Sequence, residues 1–121
     1  MRETAKDKGR LEHILESLDY IFDFSENVEF EVFKSDMKLR FAIIKNLEII
    51  GEASNMLTNG FRERHPETPW RKLINLRHVL VHGYYQIKFE LIWEIIQKDL
   101  PPLKEQIQTL YNNIETDLKT S

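Results

Sequence analysis

Hydrophobic residues recur every three or four positions along almost the whole chain, a spacing typical of amphipathic helices. No segment keeps the strict alternation of a half-buried strand. The first apolar stripe consists of Leu11, Ile14, Leu15, Leu18, Ile21 and Phe22, and acidic residues occupy the opposite face. This stripe predicts a helix from near Thr4 to Ser25, followed by a turn at Glu26 and Asn27 and a short amphipathic piece from Val28 to Phe33.

A second long helix of about 23 residues follows, and either Ser35 or Asp36 can cap its N-terminus. Its apolar positions are Phe41, Ile43, Ile44, Leu47, Ile50, Ser54 and Leu57. The run Thr58-Asn59-Gly60 predicts a left-handed C-terminal cap at its end. Gly51, inside this helix, costs about 1 kcal/mol relative to alanine, so we expect it to permit close packing of another backbone. Its neighbour Glu52 can reach a cleft, although pairing with a Lys or Arg is the commoner outcome.

The third helix is predicted to begin at Thr68-Pro69-Trp70, which read as cap, first helical position and first core anchor. Its core positions are Leu73, Ile74, Leu76, Val79 and Leu80, and Gly83 should end it.

The C-terminal region continues the helical pattern but contains Pro101-Pro102, and proline kinks or divides a helix. We therefore expect a fourth helix that ends near Asp99 and a fifth segment that restarts at the prolines. Short connections between long helices favour an all-α antiparallel four-helix-type bundle, with the fifth, proline-delimited segment at its C-terminus.

Composition agrees with one ordinary globular domain spanning residues 1–121. The 121 residues include 31% charged residues, no cysteine and a net charge of −3. The lack of cysteine excludes disulfides and thiolate sites. No apolar run is long enough to span a bilayer, and the N-terminal MRETAKDKGR is too charged for a signal peptide, so we expect a cytoplasmic protein without a membrane partner.

Charge is unevenly distributed along the chain. Phe61 to His78 has a net charge of +3, which leaves −6 for the remainder. Such a strip is either an anion-binding surface or a solvated face whose charges are cancelled after folding. Within it, Arg71 and Lys72 would hold the RNA backbone if the reactive cluster that follows them cleaves RNA.

The densest set of reactive side chains is Arg77 to Tyr85, at the end of the third helix. His78 and His82, at i and i+4, could form half of a metal site, but no second cluster in the sequence suggests a third ligand. Alternatively, Arg77 clamps a phosphate and His82 transfers a proton, as cleavage of an RNA phosphodiester requires. Five residues separate this pair by about 140° around a regular helix, so a second copy of the chain could supply the missing half. A salt-bridging Arg and a capping His remain the structural alternative.

The segment Arg77-x4-His82-Gly83-Tyr84 resembles the Arg-x4-His-x-Tyr signature of the HEPN superfamily, in its HepT-like toxin branch. Three further segments resemble the same branch, in the expected order: LEIIGEA at 47–53, WRKLINLR at 70–77 and WEIIQKDLPPLK at 93–104.

The resemblance implies a homodimeric, metal-independent ribonuclease toxin without a cofactor, in which Arg77 and His82 of both copies line a shared cleft. It also implies an antitoxin, a minimal nucleotidyltransferase, that silences the nuclease by transferring AMP to Tyr84. Many HEPN nucleases have Asn directly after the Arg; here His78 holds that place, with a supporting role as acid or positioning group. A catalytically inactive module that binds a nucleotidyltransferase or a nucleotide is the alternative.

Overall fold

The computed structural model describes the backbone of residues 2–83 and 86–120 and the side chains of residues 3–83 and 86–114. Its α-helices are α1 (Arg2–Ser25), α2 (Phe30–Ser35), α3 (Met37–Met56), α4 (Asn59–Arg64), α5 (Trp70–Gly83), α6 (Phe89–Glu94) and α7 (Leu100–Thr120), and a π-helix (Ile95–Asp99) joins the last two. These ranges contain no strand. The all-α fold that the periodicity predicts is therefore confirmed.

Contacts between distant residues establish that neighbouring long helices run antiparallel. Asp7, near the start of α1, accepts hydrogen bonds from the backbone N–H and the hydroxyl of Thr58, just beyond the end of α3, at 2.9 and 2.7 Å. Lys104 in α7 contacts Asp19 in α1 at 2.6 Å, whereas the later Tyr111 donates to the earlier Glu12 at 2.8 Å. The helices thus form the predicted bundle.

The core follows the predicted apolar stripes. The stripe of α1 contributes four side chains with no exposed surface: Leu11, Ile14, Leu18 and Ile21. α3 contributes Ile43, Ile44, Leu47 and Ile50, and α7 contributes Leu103, Ile107, Leu110 and Ile114. Burying one such side chain favours folding by roughly 1.5–3 kcal/mol, so these three helices form the rigid part of the bundle on which the others rest.

Asp36 caps α3, since its side chain accepts a hydrogen bond from the backbone N–H of Leu39 at 3.0 Å. The predicted left-handed cap at Thr58-Asn59-Gly60 is wrong. α3 ends at Met56, the Thr58 hydroxyl accepts from the N–H of Phe61 at 3.2 Å, and Gly60 lies inside α4. No described glycine has a positive φ. The cause is the anchoring of Thr58 by Asp7, which turns a helix end into the start of a short helix.

α5 begins where predicted, but Thr68 does not cap it. Thr68 is buried, and its hydroxyl has no hydrogen-bond partner in the described part of the chain. The entry into α5 is held instead by Trp70, whose indole N–H donates to the carbonyl of His65 at 2.9 Å. The large buried ring fixes the chain here, so the helix start does not need a side-chain cap.

The prolines do mark the start of α7, but the two C-terminal helices are not separated. The backbone N–H of Leu100 donates to the carbonyl of Ile95, five residues earlier, which defines the π-helix. Pro101 and Pro102 follow directly and have no N–H to donate, so the π-helix lies where regular bonding to the fourth preceding residue is interrupted. Within the described ranges, no helix has both the length and the apolar character needed to cross a bilayer.

Candidate active site

The predicted site residues lie on α5, which is amphipathic and packs on α3. Its buried side chains are Trp70, Leu73 and Leu80. Val79, predicted for the core, is 41% exposed instead, because the helix turns only a narrow face toward α3.

α3 and α5 approach each other closely at Gly51. A Cβ atom added to Gly51 would overlap the Cβ of Arg77 and lie 2.7 Å from the carbonyl oxygen of Leu73. Only glycine lets the two backbones approach this far without displacement. The close packing predicted for Gly51 is confirmed, and it places the base of the Arg77 side chain directly against α3.

Arg77 forms an ion pair with Glu52, the residue after this glycine. The distance from Arg77 Nε to Glu52 Oε2 is 2.8 Å, and the two side chains are 34% and 45% exposed. Glu52 therefore does pair with a cation, and that cation is the predicted catalytic arginine. The guanidinium lies at the edge of the α3–α5 contact, where water and a ligand can still reach it.

His78 and His82 are neighbours on the exposed surface of α5. Their ring centroids are 4.7 Å apart and their planes are inclined by 53°. A metal site would need a third ligand, and the described residues contain no group of three or more His, Asp or Glu side chains that could hold an ion. The two imidazoles are close enough to act on the same substrate group.

These histidines belong to a longer polar face of α5. Arg71, Asn75, His78 and His82 follow each other at steps of four, three and four residues, so they share one side of the helix, and all four are exposed. Arg77 lies about 140° from His82 around the helix axis. In one chain, the two predicted catalytic residues therefore face different directions.

A groove of about 410 Å³ between α4 and α5 adjoins the Arg71 end of this polar face. It is lined by Asn59, Arg62, Glu63, Trp70, Arg71, Ile74 and Asn75. Arg71 and Lys72 are exposed and form no ion pair within the described ranges. The sequence-based prediction included Arg62 in the basic strip from Phe61 to His78 but missed Asn75; the four-three-four spacing from Arg71 to His82 was the signal that could have identified Asn75.

The predicted modification site, Tyr84, lies outside the described residues.

Comparison with known proteins connects this arrangement to a family. The model of the family described as "Ribonuclease HepT-like" matches residues 14–110. The chain is 39% identical over 110 residues to "Probable ribonuclease HepT" of Thermococcus cleftensis, covering 91% of this chain and 98% of that protein. It is 38% identical over 101 residues to "Putative RNase MJ1380" of Methanocaldococcus jannaschii, covering 84% of this chain and 93% of the relative. No solved structure matches the chain.

An all-helical protein with Arg77 and His82 on one helix agrees with what the HEPN resemblance implies, and His78 is the departure from it. The chain belongs to the ribonuclease HepT-like family. The prediction of a ribonuclease of this class is confirmed at the level of the family.

Proposed function

We propose that this protein is the toxin of a toxin–antitoxin pair: a single HEPN-like domain that cleaves RNA without a metal ion, in a cleft formed by two copies of the chain. The observation that carries the proposal is the pair of exposed, adjoining imidazoles on α5, with Arg77 on a neighbouring face of the same helix. These groups can move protons and stabilise phosphate charge, the two tasks that RNA cleavage requires.

In the proposed reaction, His82 accepts the proton of a ribose 2′-OH as its oxygen attacks the adjacent phosphorus. Arg77 stabilises the negative charge of the pentavalent phosphate through its planar, always protonated guanidinium. The bond from phosphorus to the 5′-oxygen breaks, and this oxygen takes up a proton that His78, whose ring centroid lies 4.7 Å from that of His82, would supply as general acid. The products are a 2′,3′-cyclic phosphate and a 5′-OH.

A homodimer supplies the geometry that one chain lacks. Arg77 and His82 face different directions on the same α5, so a phosphate cannot contact both in a regular single helix. If two α5 helices approach across a two-fold axis, Arg77 of one copy can lie opposite His82 of the other. The shared cleft would thus hold two such pairs.

The RNA backbone is expected to follow the polar face from the paired histidines toward Arg71 and Lys72. Arg71 is an unpaired cation within the described ranges, and the groove beside it adds Arg62 and two amide side chains. Phosphate contacts of this kind position a nucleic acid without reading its sequence. Single-stranded or loop RNA fits best, because its backbone is accessible.

The direct test is cleavage of a single-stranded RNA in excess EDTA. We expect the wild-type protein to produce fragments with 2′,3′-cyclic phosphate and 5′-OH ends, identified by mass spectrometry. His82→Ala, purified in parallel, controls for contaminating nuclease. If EDTA stops cleavage and Mn²⁺ or Zn²⁺ restores it, the histidine pair is part of a metal site. If the free protein cleaves RNA under no condition but still binds a nucleotidyltransferase, it is the catalytically inactive binding module.

The proposed antitoxin is a minimal nucleotidyltransferase that attaches AMP to Tyr84. Tyr84 is two positions after His82 in the sequence, so an added phosphodiester anion would lie near the proposed phosphate site. It would compete with the RNA both sterically and for the cations. The antitoxin would thereby block the phosphate site of the nuclease with the phosphate of the attached AMP.

Co-expression with such a nucleotidyltransferase is expected to increase the mass of the protein by one adenylyl group and to abolish RNA cleavage. Peptide mass spectrometry should locate the group on Tyr84, and Tyr84→Phe should remain unmodified and active. Tyr85→Phe, one residue further on, is the matched control and should still be modified. An unmodified chain that is inhibited only while bound to the partner would overturn this part of the proposal.

A further inference from the structure

We infer that Glu52 is the positioning residue of Arg77: its carboxylate fixes the guanidinium so that the opposite edge is presented to the phosphate. This inference rests on the proposed function, and it concerns a residue for which the sequence left open a place in a cleft or an ion pair with a Lys or Arg. Its basis is the 2.8 Å contact between Arg77 Nε and Glu52 Oε2, next to Gly51, where α3 and α5 approach each other closely.

The Arg77 side chain is held at two points, by the backbone of α3 and by the Glu52 carboxylate. Gly51 allows the Cβ of Arg77 to pack against the backbone of α3. The first carbons of the arginine side chain are therefore enclosed between the two helices instead of extending into solvent. Glu52 follows immediately and meets the side chain at Nε. Contact with the α3 backbone at Cβ and with the Glu52 carboxylate at Nε restricts the otherwise flexible Arg77 side chain to few rotamers.

The chemistry of the guanidinium explains why the Nε contact matters. Arg has five N–H donors in a planar fork and can bind oxygen pairs along two edges. A carboxylate at Nε leaves the edge formed by the two terminal nitrogens for a phosphate, which it can bind bidentately. Glu52 thus orients the fork without occupying the edge that the substrate needs.

Stability alone is a poor reason for this ion pair. Both side chains are partly exposed, and pairs of this kind contribute little to folding because water and salt screen them. The Lys98–Glu94 pair in the C-terminal helices, at 3.1 Å, is such a surface contact. What distinguishes the Glu52 pair is that its cation is the proposed catalytic arginine, whose rotamer entropy must otherwise be lost during each turnover.

If Glu52 orients Arg77, its replacement should change the rate of cleavage and the affinity for RNA in different ways. Glu52→Gln removes a negative charge near the phosphate site, so RNA should bind equally well or more tightly. The guanidinium becomes less well oriented, so kcat should fall by about 10- to 100-fold. A residue that only supported the fold would instead lower kcat, affinity and thermal stability together.

The experiment compares Glu52→Gln, Glu52→Asp and Glu94→Gln, the last being the matched loss of a surface ion pair. Single-turnover rates give the chemical step, and RNA affinity is measured by fluorescence anisotropy in the His82→Ala background. We expect the loss of rate without loss of affinity only in the Glu52 variants, with unchanged melting temperatures. Normal turnover of Glu52→Gln, or a joint loss of affinity and stability, would overturn the inference.

A second measurement separates this inference from the proposed nuclease function. In ¹⁵N NMR spectra, the Nε–H of a paired arginine exchanges slowly with water, so the Arg77 signal should be present in the wild type and broadened or lost in Glu52→Gln. If the wild type cleaves no RNA, the proposed function fails, but this signal still reports whether Glu52 orders Arg77. An Arg77 Nε–H signal that is the same in both proteins would refute the ordering role directly.

Discussion

Replacing Arg77 or His82 by alanine is expected to lower the rate of RNA cleavage by about 10²- to 10⁴-fold, the usual loss for a general base or for a group that stabilises transition-state charge. Both side chains lie at the surface of α5, so the helical circular-dichroism spectrum should remain unchanged. Lys98→Ala, which removes an exposed cation from the π-helix, should retain full activity.

Mixing the two inactive variants tests whether the site is shared between copies. If Arg77 of one chain works with His82 of the other, each mixed dimer has one intact pair, and random exchange should restore about one quarter of wild-type activity. Light scattering on the same samples must give a dimer. If mixing restores nothing although mixed dimers form, each chain uses its own pair; a strict monomer would remove the shared cleft altogether.

Gly51→Ala is expected to destabilise the protein, although alanine normally favours a helix. The new Cβ would overlap the Cβ of Arg77 and lie 2.7 Å from the carbonyl oxygen of Leu73. Overpacking of this kind costs about 1–3 kcal/mol, more than the roughly 1 kcal/mol that alanine gains in helix propensity. The melting temperature should therefore fall by several degrees, at roughly 4 °C per kcal/mol for a domain of this size.

Gly9→Ala is the matched control, because a Cβ at Gly9 in α1 meets nothing within 4 Å. This variant should melt at a higher temperature than the wild type. The two glycines thus predict shifts of opposite sign from the same substitution, measured by thermal unfolding at equal protein concentration. Equal stabilisation by both would contradict the close contact between α3 and α5.

Periodicity was sufficient to predict the long helices, because each buries one continuous stripe. The apolar stripe of α1 is an example: four of its six members have no exposed surface. The close packing at Gly51 was also predictable, since an interior helix glycine without a loop function usually faces another backbone. The HEPN resemblance selected Arg77 and His82 from a pattern that periodicity alone left open.

The errors have a common physical origin in contacts between distant residues. Thr58 was interpreted as part of a helix end because nothing nearby in the sequence indicates that Asp7, 51 residues earlier, binds it. Thr68 was interpreted as a cap, although the Trp70 indole already fixes the start of α5. The pairing of Arg77 with Glu52 likewise depends on how α3 and α5 cross. The helix propensity of each segment does not determine where or at what angle they do so.

The π-helix also constrains how the length of this chain can change. Ile92, Ile96 and Leu100 are all buried, yet steps of four residues advance a side chain by about 40° each in a regular α-helix, or about 80° in total. Bonding from residue i to i+5 accommodates an extra residue and cancels this drift, so α7 enters in phase with the core. Deleting one residue from Ile95–Asp99 would rotate α7 by about 100° relative to α6. A one-residue insertion or deletion in this segment should therefore turn the apolar stripe of α7 away from the core, so the length of the π-helix is part of what holds the bundle together.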